Sequence, residues 1–128
     1  MTKRVTIPPY DQFDLSTFVI TGDLVHIGHF GGCFDQEGNL LTTIEGQMNK
    51  TLTNLENALI EIGLGLNNVV KLTVILKNIE DFHDMHSVWV KRFDSEHFPV
   101  RTVITSEFIS ENNLIQIEGC ASMKFDTK

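Results

Sequence analysis

The chain has 128 residues, 41% hydrophobic and 21% charged, which predicts one folded domain with no long linker. Its net charge of −7 repels a phosphate backbone, and no basic run exceeds the pairs Lys3, Arg4 and Lys91, Arg92, so nucleic-acid binding is disfavoured. No apolar run is long enough to cross a membrane, and two cysteines, Cys33 and Cys120, fit neither a disulfide framework nor a metal knuckle; they read as buried thiols of a cytoplasmic protein.

The chain opens on "MTKRVTIPPYDQF", which carries charge but has no apolar stretch behind it to act as a leader. "STFVITGDLVHIGHF" reads as two short strands broken at Gly22, and "CFDQEGNLL" as a second turn with Gly38 and Asn39 at its positive-φ positions. Then the period changes. Met48, Leu52, Leu55, Leu59 and Ile62 fall on one face of a helix expected over residues 43–62, opened by a capping box of Thr42 and Glu45 and closed by Gly63.

"NVVKLTVILKN" alternates, with Val70, Leu72, Val74 and Leu76 on one side of a strand. "IEDFHDMHSVWVKRF" restores a helical period through Phe82, Met85, Trp89 and Phe93, with Lys91 and Arg92 in the last turns, where the helix dipole favours cations. A strand over residues 100–106, a polar loop "SEFISENN" and a strand "LIQIEGCASM" complete the chain. This order predicts an α+β fold, a single mixed six-stranded sheet with two long helices on one face. The other face has no layer to cover it, so a homo-oligomer is expected in which open sheet faces pack together.

Arg101 stands inside the strand "FPVRTVITSEF". An always-charged guanidinium near a core needs an anion or an exit to solvent. Glu118 lies in the last strand, where Leu114, Gln116, Glu118 and Cys120 share one face, and the two residues could meet across a ladder as a cross-strand ion pair. The alternative is an anion site, in which Arg101 grips a substrate carboxylate and Glu118 holds a water or a proton. His83 and His86 are three apart on a helix without a third metal ligand at a recognised spacing, and His26 and His29 fall on opposite strand faces, so no metal site is expected. Gly28, Gly31 and Gly32 in "GHFGGCF" lack the lysine of a phosphate cradle and suit a bulge or a close backbone approach. Neither cysteine has a base beside it in sequence, and Met85 and Trp89 read as core.

"FPVRTVITSEFISENNLIQIEGCA" resembles the signature of the Rid family, the reactive intermediate deaminases also called YjgF or L-PSP proteins: Pro-x-Arg, a strand, a short loop and "IEIEA". "NLENALIEIGLGLNNVVKLTVILKNIEDF" resembles the same family's first long helix and following strand, and the similarity runs from about Gly22 to Ala121. The resemblance implies a chorismate-mutase-like subunit, a homotrimer whose sheets line a central barrel, pockets at the subunit clefts, and no metal or organic cofactor. It also implies that Arg101 binds the carboxylate of a 2-imino acid, that Glu118 helps place the hydrolytic water, and that the backbone of Gly28 borders the pocket. Four positions depart from the family pattern: Leu15 stands on or near the pocket tyrosine, Ile27 replaces a serine, His86 an asparagine and Val103 a cysteine. The expected activity is hydrolysis of 2-imino or enamine acids to 2-oxo acids and ammonia. The alternative is a non-catalytic trimeric binding module for small carboxylates with a regulatory role. A ribonuclease, as some relatives have been described, fits the acidic balance least.

Overall fold

The structure is a computed structural model and describes residues 1–125. In chain order it has β1 (Thr2–Val5), a 3-10 turn (Tyr10–Gln12), β2 (Phe18–Thr21), β3 (Leu24–Phe30), α1 (Ile44–Glu61), a 3-10 turn (Leu66–Asn68) and β4 (Val69–Leu76). There follow a 3-10 turn (Ile79–Asp81), α2 (Phe82–Arg92), β5 (Val100–Thr105) and β6 (Ile115–Ser122). All six strands form one mixed sheet in the order β1-β2-β3-β6-β4-β5. Only β4 and β5 pair in parallel, and α2 is the crossover such a pair requires.

Both helices lie over one face. Met48, Leu52, Leu55 and Leu59 of α1 are fully buried against Leu72, Val74, Ile115 and Ile117 of the sheet, at about 2 kcal/mol of transfer free energy per side chain. The helix starts one residue later than the spacing suggested. Thr43, not Thr42, is the N-cap, its hydroxyl accepting from the Gly46 amide at 3.1 Å. At the other end Gly63 takes φ 80° and the Leu64 amide donates back to the Leu59 carbonyl at 2.9 Å.

Alternation along β4 fails at its first turn. A register shift between Val69 and Lys71 buries Val69 and turns Val70 out, 43% exposed, while Leu72, Val74 and Leu76 keep the expected face. The shift brings the carbonyl of Lys71 against β6 at Gly119, where any Cβ would collide with it, so the last strand carries glycine there. A second shift, between Ile27 and Phe30, makes the glycine-rich stretch a bulge, and Gly32 lies so close to α1 that a Cβ would come within 2.7 Å of the Thr51 amide nitrogen. Gly38 has positive φ but Asn39 does not; the non-glycine residue with positive φ among the described residues is Asp14, at 56°. Asp35 holds the second turn instead, accepting from the amides of Glu37 and Asn39.

The uncovered face is more polar than the alternation suggested. On β3 and β6 it carries exposed His26 and Glu118 with half-buried Gln116 and Cys120, and its apolar side chains include Val19 on β2, Leu24 on β3, and Ile75, Val100 and Ile104 on β4 and β5. Cys33 and Cys120 are half-buried rather than buried. No helix among the described residues is long and apolar enough to cross a membrane.

Candidate functional site

Arg101 is the second residue of the edge strand β5, paired with Leu72. The Leu72 row faces the helices, so the side chain of Arg101 runs under α2 instead of out to solvent. Its guanidinium carbon lies over two rings of that helix, 5.4 Å from the centre of Phe82 and 4.8 Å from the centre of Trp89. Between them stands His86, its ring stacked on Phe82 at 5.9 Å, with Nδ1 3.0 Å from Arg101 Nη1. A guanidinium can only donate, so Nδ1 accepts and carries no proton. Residues 82, 86 and 89 recur on one helix face, which is why three rings reach one side chain.

Among the described residues no carboxylate pairs with Arg101, and of its five donors only the one to His86 has a protein acceptor. Burial lowers its pKa from the ordinary arginine value, the sign of a cation taken partly out of water. A cation that has lost water and gained no counter-ion is a site for an anion from elsewhere. Val103, two residues along the same face of β5, is half-buried against the core.

Glu118 does not meet Arg101. β4 separates their strands, and Glu118 pairs with Thr73 while Arg101 pairs with Leu72, which puts the two side chains on opposite faces of the sheet. The cross-strand ion pair is therefore absent, and Glu118 is exposed on the uncovered face. The remaining candidates gather at a third place. The amide of Gly28 donates to the Thr17 carbonyl at 3.2 Å, so the segment bearing Leu15 runs beside the β3 bulge, with Leu15 itself 40% exposed. Ile27 belongs to the core at 4% exposure and presents almost no side-chain surface to a ligand. In the sheet β3 lies three strand intervals from β5, roughly 14 Å at the usual spacing. The candidates thus form three groups: Arg101 with His86 and Val103, Glu118 alone, and Leu15 with Ile27 and Gly28.

Phe82 and Trp89 are the members that sequence reasoning missed, having read that stripe as core alone. Met85 is indeed fully buried and Trp89 is 4% exposed, but Trp89 also turns its ring to Arg101. A separate cavity of about 320 Å³ lies between the segment Ile7 to Tyr10 and α1, with Asn54, Asn57 and Glu61 on its helical side. No cation and none of the three groups of candidate residues lines it. Among the described residues no three His, Cys, Asp or Glu side chains are gathered closely enough to hold a metal ion.

Comparison with known proteins agrees with this fold. The chain is 35% identical over 116 residues to the RutC family protein slr0709 of Synechocystis, covering 90% of this chain and 86% of that protein. It is 26% identical over 119 residues to TdcF of Escherichia coli, a protein provisionally named a reactive intermediate deaminase, covering 90% and 87% of the two chains. Rv2704 of Mycobacterium tuberculosis, a solved member of the YjgF/YER057c/UK114 family, superposes with a TM-score of 0.81 over 95% of this chain and 99% of its own at 22% identity, a likeness of fold. The family described as endoribonuclease L-PSP matches residues 7–123, and with that span nearly the whole of the domain, the chain belongs to the Rid/YjgF/L-PSP family.

Proposed function

We propose that this protein is a hydrolytic deaminase of reactive 2-imino and enamine acids, releasing 2-oxo acids and ammonia. The observation that carries the reading is Arg101, a partly desolvated cation held over two rings with no counter-ion beside it among the described residues. Membership of the family, and the name borne by the relative TdcF, support the same class of chemistry.

In this reading the free donors of Arg101 take the substrate carboxylate as a bidentate pair and fix the neighbouring carbon. An enamine acid first takes a proton at carbon and gives one up from nitrogen to become the imine. Water then adds to the imine carbon, the C=N electron pair moves to nitrogen, and nitrogen gains a proton. The resulting carbinolamine expels ammonia as its hydroxyl loses a proton, so one imine and one water give one 2-oxo acid and one ammonia. A protonated imine is electrophilic already, so orientation and a placed water suffice without a covalent nucleophile, metal or organic cofactor.

Glu118 is the group we assign to the water. Because it faces away from Arg101 within one protomer, it reaches the same substrate only from a second copy. The reading therefore carries a homotrimer with its pockets at the seams, Arg101, His86 and Val103 on one side and Glu118, Leu15 and the Gly28 backbone available from a neighbour.

The test is direct. An amino-acid oxidase generates the 2-imino acid, and semicarbazide traps whatever survives. The protein should diminish the adduct, and Arg101→Ala should abolish that effect. Undiminished adduct with wild-type protein, the same as with Arg101→Ala, sinks the reading. The apolar residues at Leu15 and Val103 favour a second reading, a trimeric module that binds small carboxylates without turning them over; calorimetric binding of a 2-oxo acid with no loss of adduct would select it. The family description's endoribonuclease activity sits poorly with a net charge of −7.

A further inference from the structure

We infer that His86 is a positioning residue: its imidazole holds Arg101, through Nδ1 and Nη1 at 3.0 Å, in the one orientation from which the remaining guanidinium donors can take a carboxylate. This rests on the reading of Arg101 as the carboxylate anchor. An arginine has many rotamers and loses its binding geometry unless something locks it, and an edge strand supplies no lock of its own. Two devices act here. The rings of Phe82 and Trp89 set where the guanidinium carbon lies, at 5.4 and 4.8 Å, but a ring face attracts a cation without dictating its rotation in the plane. The hydrogen bond to Nδ1 does dictate it.

The imidazole is itself fixed. Its ring lies nearly parallel to Phe82, 7° apart, one turn earlier on α2, so the acceptor cannot swing away without losing that stacking. With Nδ1 facing Arg101, the acceptor lone pair is spent on the anchor and is not free for the ligand. In this inference His86 acts on substrate through Arg101, its Nδ1 lone pair being committed to the guanidinium. An acceptor at this place also selects for arginine over lysine: an ammonium bound to His86 would have no fork left for the carboxylate.

Nitrogen-detected NMR of the Arg101 side chain tests this without any ligand. In the wild-type protein the two Nη signals of Arg101 should be resolved, because rotation about the Nε–Cζ bond is hindered. In His86→Phe, which keeps a ring on Phe82 but removes the acceptor, they should merge. His86→Phe should also weaken binding of pyruvate about tenfold or more with an unchanged melting temperature, and His86→Gln, whose amide oxygen can accept, should restore it to within about threefold. Measured against the roughly 1,000-fold slower turnover expected of Arg101→Ala at high enzyme concentration, adding His86→Phe should change the rate by less than about twofold, since a residue acting through another has nothing left to act on. Merged Nη signals in wild-type protein, or a full His86→Phe effect persisting without Arg101, overturns the inference. Failure of the wild-type protein to bind pyruvate counts against the deaminase reading, and the nitrogen signals alone then decide the positioning role.

Discussion

Gln47 and Arg101 are polar side chains under the same helical layer, and one is finished where the other is not. Gln47, 1% exposed on α1, donates from Nε2 to the carbonyls of Leu41 and Asn112 at 2.9 and 2.8 Å and accepts at Oε1 from the Leu114 amide at 2.9 Å. Every group it brought into the interior has a partner, and it ties the turn before α1 to the loop before β6. Arg101 under α2 brought five donors and has one protein acceptor among the described residues, a neutral ring. A satisfied buried group is a structural tie, whereas an unsatisfied charged one is held open for something outside the chain.

The contrast is broken most severely at Arg101. Arg101→Ala should cost about 1,000-fold in kcat/KM toward a 2-imino acid, the loss of two charge-assisted hydrogen bonds, with little change in melting temperature. Gln47→Ala should do the reverse. It strands two carbonyls and an amide in the interior and should cost roughly 3 kcal/mol in denaturant unfolding, while activity at low temperature stays near wild type. If Arg101→Ala unfolds the protein and Gln47→Ala leaves stability alone, the two side chains have been assigned the wrong way round.

A smaller effect sharpens the division of labour between copies. Arg101→Ala and Glu118→Gln chains, each severely impaired alone, should recover about a quarter of wild-type activity when refolded together, because in the closed trimer we propose roughly one seam in four joins an intact arginine to an intact glutamate of the next copy. Recovery of none would mean that both residues serve a pocket from the same chain, against their positions on opposite sheet faces.

The order of elements, both helices and the inward row of β4 were legible because they follow from period: Leu52, Leu55 and Leu59 at helical spacing, and Leu72, Val74 and Leu76 at strand spacing. β1 was not, since Thr2–Val5 is an exposed edge with no buried partner row to betray it. The turning out of Val70 was also hidden, because a bulge shifts register without changing composition. At the site, Arg101 could be singled out as a charge in an apolar strand, but its relation to Glu118 could not. Whether two residues on different strands share a face depends on pairing partners, here Leu72 and Thr73 of β4, and one residue of register reverses the answer. The cradle of Phe82, His86 and Trp89 was written in the spacing of those three residues, and went unread because a stripe that builds core looks the same as one that also seats a cation.

Tyr10 tests the same contrast at its mildest. It is a finished group like Gln47, but only half-buried: its hydroxyl donates to the His29 carbonyl at 2.8 Å, with its ring against Phe30 at 5.3 Å. Burial pushes its pKa from the ordinary value near 10 up to about 12. Raised in the folded state, it binds its proton more tightly there than in the unfolded chain, so this contribution to stability is fully present below about pH 10 and is lost as pH climbs from about 10 to about 12. The chain has one tyrosine, so tyrosinate absorbance reports Tyr10 alone. Its midpoint should lie near 12 in the folded protein and near 10 in denaturant, with Tyr10→Phe costing about 1 kcal/mol at neutral pH and flattening the alkaline fall in stability. A folded-state midpoint near 10 would show the phenol to be solvated, and the segment before β2 would then not be seated on β3 as drawn.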